Sequence, residues 1–274
     1  MAKPRILYIT EEITPYLPDS ANARLGRDLP VMSQGGGYEV RIFMPRFGTI
    51  NEQRNQLHEV IRLSGMNISI ADTDHPLIIK VASMHPSRIQ VYFVDNDDYF
   101  QRLASDSDPL GTNRADNDER AIFFTRGTME TVRKLQWDVR IVHCMGWMSA
   151  LSTLYLRRLY DSEPGENKPA IVYTILPGQD PATLDPKIVD KLREEGVADD
   201  DMQEIIANPS DPDSMHRLAM RHADAIVFGG APGQGLSEFA ASLGKPVMRL
   251  DVRADGQAFD ADAYKDFYLS LEKK

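Results

Sequence analysis

One cysteine, Cys144, stands in 274 residues, and that scarcity excludes a disulfide framework within the chain. A reducing compartment suits such a chain, so a cytoplasmic location is expected. Long apolar runs are missing as well. No stretch approaches the ~20 apolar residues of a membrane-spanning helix, and the opening MAKPRILYIT lacks the apolar core of a signal peptide. Basic charge is in deficit, with 31 Lys and Arg against 41 Asp and Glu for a net charge of −10. That balance argues against nucleic acid as a partner, because duplex binding relies on clustered Lys and Arg. The six histidines, at 58, 75, 85, 143, 216 and 222, fall into no zinc-ligand spacing, so neither a metal nor a cofactor is expected. There is no Gly-x-Ser-x-Gly elbow, and Cys144 carries no mark of a nucleophile.

What is present is a regular alternation of short β-prone runs with amphipathic stretches, the signature of a largely parallel α/β sheet. Strands are expected at 5–10, 39–44, 77–84, 88–94, 139–143, 170–175, 225–228 and 246–250. The run at 88–94 alternates cleanly, which suggests a half-exposed antiparallel or edge strand. Helices are expected at 118–135, 147–159, 214–222, 235–243 and 261–271. The first places Ala121, Phe124, Thr128, Met129, Val132 and Leu135 on one face, with Asp116 or Asp118 as its amino-terminal cap. Residues 103–114 read as a surface loop. The acidic stretch 176–212 reads as an irregular excursion (a lid, an insertion or a poorly ordered segment), with short helices near 186–194 and 200–207. No clean linker interrupts the pattern, so residues 1–274 are expected to form one α/β domain.

Three segments invite a chemical reading. Residues 229–235 follow a strand and precede a helix, and Gly230, Gly233 and Gly235 would let the backbone approach a phosphate. The segment is neither a P-loop nor a dinucleotide fingerprint, and a plain strand-to-helix turn is the stronger account. Residues 95–98 resemble part of a calcium loop without its Gly and distal Glu, so helix capping explains them better. His143-Cys144-Met145-Gly146-Trp147 ends a strand and opens a helix. Ligands of open α/β sheets bind beyond such strand ends. A ligand-lining role and a packing role for His143 and Trp147 both remain open.

Several ordered motifs resemble one family. ILYITEEITPYLP, then Leu29-Pro30, then YEVRIFMPRFG are similar to the opening of glycogen and starch synthases. VYFVDNDDYFQR with DNDERAIFFTRG, DVRIVHCMGWMSAL, AIVYTI and RHADAIVFG follow in the family's order. The resemblance implies the amino-terminal, Rossmann-like half of a GT-B glycosyltransferase. It also implies glucosyl transfer from ADP- or UDP-glucose to an α-1,4-glucan, and a second Rossmann domain that supplies most of the donor site. It makes Asn117, Arg120, His143 and Trp147 the candidates for a retained sugar cleft.

The departures from the family pattern fall on its working positions. Pro18-Asp19-Ser20-Ala21 stands where the resemblance implies the Lys-Thr-Gly-Gly of the nucleotide-sugar loop. Asp19 would repel a phosphate, and Pro18 offers neither charge nor an N–H. Gly146 replaces the implied acceptor-binding Asp, and Leu176-Pro177 replaces a His-Asn pair. The second domain is expected to be missing. No catalytic residue is therefore assigned, and a catalytically impaired, pseudoenzyme-like member is expected. Its partners would be an α-glucan or nucleotide sugar, and a protein supplying a second domain. The alternatives are a glucan-binding or regulatory partner of a true synthase, or a small phosphate- or nucleotide-binding protein.

Overall fold

The computed structural model describes residues 3–101, 108–162, 168–178, 180–250 and 260–272. Its centre is a ten-stranded sheet in the order β10-β9-β8-β7-β1-β2-β6-β5-β3, with β4 paired to β5 alone. The strands are β1 (Arg5–Thr10), β2 (Glu39–Pro45), β3 (His58–Glu59), β4 (Met66–Ile70) and β5 (Thr73–Met84). They continue with β6 (Ile89–Asp95), β7 (Ile141–Met145), β8 (Ala170–Ile175), β9 (Ala225–Phe228) and β10 (Val247–Arg249). From β10 to β6 every pairing is parallel, whereas β5 runs antiparallel to β6, β3 and β4.

Among the described residues, eight α-helices connect or flank these strands: α1 (Ala21–Gly35), α2 (Asn117–Leu135), α3 (Ala150–Ser162) and α4 (Ile188–Glu194) come first. They are followed by α5 (Gln203–Ala207), α6 (Pro212–His222), α7 (Gln234–Ser242) and α8 (Ala261–Glu272). Helices α2, α3, α6 and α7 contact one another in series and form one layer. Tyr8 of β1 hydrogen-bonds both Ser33 of α1 and Tyr268 of α8, so these two helices share the opposite face. The buried strands carry the core: Ile6, Leu7, Tyr8 and Ile9 of β1 are all fully covered. Continuous apolar runs are what a sheet covered on both faces requires.

Several expectations are corrected by packing. Residues 88–94 do not form an edge or half-exposed strand. β6 lies between β2 and β5, and residues 91–95 are all buried. The antiparallel partner is real, but the helix α2 covers what the alternation suggested was a wet face. The hairpin β4–β5 carried no turn signal, since its reversal uses Ala71 and Asp72 at φ +48° and +59° in place of Asn-Gly. Asp116 does sit at the cap of α2, yet its side chain makes no cap bond and pairs with Arg114. Asp118 is drawn instead to Lys191, whose ammonium lies 2.6 Å from Asp118 and 2.6 Å from Glu119. That pairing ties α4 to α2.

In the acidic stretch, α4 and α5 fall on the two short helices expected near 186–194 and 200–207, and Leu184, Ile188, Leu192, Val197, Met202 and Ile205 are buried in the core. Acidic composition sits on the outer faces, while apolar residues at helical spacing decide the packing. Residues 103–107 of the expected surface loop lie outside the described residues. The capping account of 95–98 fits the geometry, because the Asn96 side chain accepts from the amides of Asp98 and Tyr99 at 3.0 and 3.2 Å. Asp95 is engaged elsewhere, 2.8 Å from the Lys80 ammonium.

Candidate functional site at the carboxyl ends of the strands

The chain leaves β1 in one direction, toward β2 and β6, and returns to lay β7 on β1's other side. The gap beyond β1 and β7 is therefore the topological switch point, where α/β sheets place ligands. Two residues meet there. Glu11 follows β1, and Gly146 follows β7.

Glu11 is fully buried. Its Oε2 accepts from the amide of Met148 at 3.1 Å, at the opening of the 3₁₀ turn Trp147–Ser149 that leads into α3. Its Oε1 has no partner among the described residues. A Cβ built on Gly146 would fall inside the Glu11 carboxyl group, and Gly146 adopts φ +83°, so this position needs glycine on both counts. Burial, with the Glu12 charge beside it, pushes the Glu11 carboxyl well above the usual carboxylate range. Glu12 is raised too, chiefly by burial. It accepts from Ser20 at 2.9 Å, and Ser20 in turn caps α1 through the amide of Ala23.

Behind Gly146 lies a chain of three groups. The Tyr173 hydroxyl is 2.7 Å from Nδ1 of His216, and His216 Nε2 is 2.8 Å from the Asp180 carboxylate. Tyr173 and His216 are buried, while Asp180 reaches the surface. A Tyr O–H donating to Nδ1, with Nε2–H donating to Asp180, satisfies all three. Sequence reading passed over Glu11, Tyr173, His216 and Asp180. The one available signal was His216 on the apolar face of α6, where a histidine must find polar partners.

The four residues expected to line a sugar cleft are all buried. Arg120 and Asn117 come together at the ends of β2 and β6. Arg120 donates to the carbonyls of Tyr99 (2.9 Å), Leu110 (2.6 Å) and Gly111 (2.7 Å), and to Oδ1 of Asn117 (2.6 Å). Its guanidinium also faces the rings of Phe47 and Phe100, and burial brings it down to about 10. Asn117 donates to Thr112 at 2.8 Å. His143 lies elsewhere, mid-strand on the α1 face. Its ring nitrogens contact Tyr268 (2.5 Å) and Thr174 (2.6 Å), and burial pushes it down to about 3. Helix α8 thus roofs His143 with Tyr264 and Tyr268. Trp147 is buried beside Gly146, with its indole N–H unpartnered.

Residues 19, 176 and 177 are engaged by the chain's own atoms or buried. Asp19 is paired with Arg24 at 2.7 Å, which holds its carboxyl below the usual range. Leu176 is buried, and the Pro177 carbonyl accepts from Asn22 at 3.1 Å. In the glycine-rich turn, Gly230 packs on Pro177, while Gly233 and Gly235 face open space. None of these three glycines has positive φ. No metal-binding cluster is present among the described residues. Nor is any helix among them long and apolar enough to cross a membrane.

Residues 5–227 match the family model described as the starch synthase catalytic domain. The chain belongs to that family. The glycogen synthase of Chlorobium luteolum is 31% identical over 244 residues, covering 86% of this chain and 50% of the relative. That of Chlorobium limicola is 32% identical over 239 residues, with 85% and 49% covered. The catalytic domain of starch synthase IV from Arabidopsis thaliana, solved with ADP and acarbose, superposes with a TM-score of 0.71 at 14% identity. It covers 96% of this chain and 53% of that one, and it shows the fold to be that of GT-B glycosyltransferase catalytic domains. This member of the starch synthase family spans about half the length of the curated relatives it matches.

Proposed function

We propose that this chain is a glycogen- and starch-synthase-like protein that does not transfer glucose by itself, its working positions having been converted to packing. The observation that carries this reading is the switch point. Where the family resemblance implies an acceptor-binding Asp, Gly146 stands, and the space is filled by the buried carboxyl of Glu11. Asp19, paired with Arg24, and buried Leu176 support the same conclusion at two further positions. A donor diphosphate needs positive charge aimed at it as the bond breaks. At the position of the implied lysine the loop has Pro18 and Asp19, and the Arg24 charge next to them is paired with Asp19. A lone buried cysteine, with burial pushing its thiol up, agrees with a reducing, cytoplasmic setting.

The test is transfer from labelled ADP-glucose and UDP-glucose to glycogen and maltooligosaccharides. The expected result is no labelled glucan above a heat-treated control, and steady turnover would overturn the proposal. A second reading, phosphate or nucleotide binding at 229–235, is favoured by one observation. Arg249 lies over the Phe228 ring at 5.4 Å and donates to Ser237 in the first turn of α7, which brings a cation to the loop's end of the sheet. A panel of nucleotides should then raise the unfolding midpoint, and should cease to do so in Arg249→Ala. A flat panel sinks it.

A further inference from the structure

The switch-point crevice carries a second meaning that does not depend on glucosyl transfer. Three observations converge on it. The crevice lies between the ends of β1 and β7, where the order of the parallel strands reverses. An amide at the start of the helical segment, Met148 N–H, points into it, as such amides do toward oxygen-bearing ligands. A fully buried carboxyl oxygen there, Glu11 Oε1, finds no partner among the described residues, and neither does the buried indole N–H of Trp147, the residue after Gly146. Unpartnered buried polar atoms are rare and call for an explanation.

We propose that Glu11 is an internal ligand: its carboxyl occupies a binding site for a small planar oxygen-bearing group, and so closes the crevice from inside. Gly146 is the floor of this site, bare so that the carboxyl can lie over it. Met148 N–H supplies the donor. Tyr173, held by His216 and Asp180, lies against the far side of Gly146, its hydroxyl 3.3 Å from the Gly146 carbonyl oxygen. Any outside ligand of this class must displace Glu11 before it can bind. The proposal bears on the same end of the sheet as the reading above. Its test reads binding and folding, not transfer, so either can fail without the other.

The experiment removes the plug and offers it back as a separate molecule. In Glu11→Ala, acetate and its neutral isostere acetamide are titrated while the amides of Gly146 and Met148 are followed by NMR. The expected result is saturable shifts of both amides with at least one probe, and a rise in the unfolding midpoint at saturation. The wild-type chain and Glu11→Gln, which keep the site filled, should respond to neither. If Glu11→Ala does not fold unaided, refolding yield with acetate or acetamide against a chloride control becomes the readout. Recovery with either probe supports the proposal. Absence of both shifts and recovery overturns it, as does an equal response in Glu11→Gln.

Discussion

The two ends of the sheet differ in an instructive way. The amino ends of β8, β9 and β10 hold an open cavity of about 440 Å³, lined by Arg157, Arg158, Arg221 and Lys245 among others. It looks like an anion site, yet each of these cations is spent on the protein itself. Arg157 donates to the His222 carbonyl at 2.8 Å, Arg158 to the Gly196 carbonyl, and Arg221 pairs with Glu204. Lys245 caps the last carbonyls of α6, including Met220 and Ala223 at 3.0 and 2.6 Å. At the carboxyl ends the signal is of another kind: the Glu11 carboxyl oxygen Oε1 and the Trp147 indole N–H are buried with no partner among the described residues. Unmet hydrogen-bonding capacity is a better guide to chemistry than open volume, because burying an unpaired polar group costs stability.

The largest effect should come from the carboxyl end. Arg120→Ala strips partners from three carbonyls and Asn117 at once, and should cost about 4 kcal/mol in urea unfolding. Lys at this position should restore little of it, since one ammonium cannot reproduce the guanidinium fork. A loss near zero would mean the loops bonded to Arg120 stand without it. Next, Gly146→Ala should cost about 3 kcal/mol, from the collision with Glu11 together with the strained φ. The double variant Glu11→Ala, Gly146→Ala should lose less than the two single losses added. Strict additivity would show that the two positions do not share a space.

The pH dependence gives a smaller and separable signal. The folded state holds the Glu11 proton more tightly than the unfolded chain does, because burial raises its carboxyl. Its contribution is therefore complete below the unfolded value of ~4.3 and is lost as pH rises through the folded value. Glu11→Gln, which cannot ionise, should flatten the fall in stability as pH rises above ~4.3. An unchanged slope would place the ionisation elsewhere. The smallest effect belongs to the amino end, where Lys245→Ala should cost only about 1 kcal/mol, the worth of a helix-end cap. A loss as large as that of Arg120→Ala would erase the contrast between the two ends.

Much of the architecture was legible before any coordinates. The spans 5–10, 170–175 and 225–228 are the observed strands β1, β8 and β9, because a strand buried on both faces reads as an unbroken apolar run. Family membership was legible too, from motifs in series. The site was not. Asn117, Arg120, His143 and Trp147 were visible as unusual residues in telling places, but a linear string does not say whether a carbonyl, a tyrosine from α8 or solvent meets them. Glu11 looked like one more acid at a strand end. Its significance appears only beside Gly146, 135 positions away along the chain.

Local pattern, then, determined the alternation of strands and helices, the parallel sheet and the family, since these rest on periodicity and near-neighbour order. The tertiary structure alone decided which polar groups were matched and which were left over. It spent the guanidinium of Arg120 and the ring of His143 on the protein's own atoms, and it set the Glu11 carboxyl into the space that Gly146 leaves empty. Hydrogen bonding and burial act across distances in sequence that periodicity cannot reach.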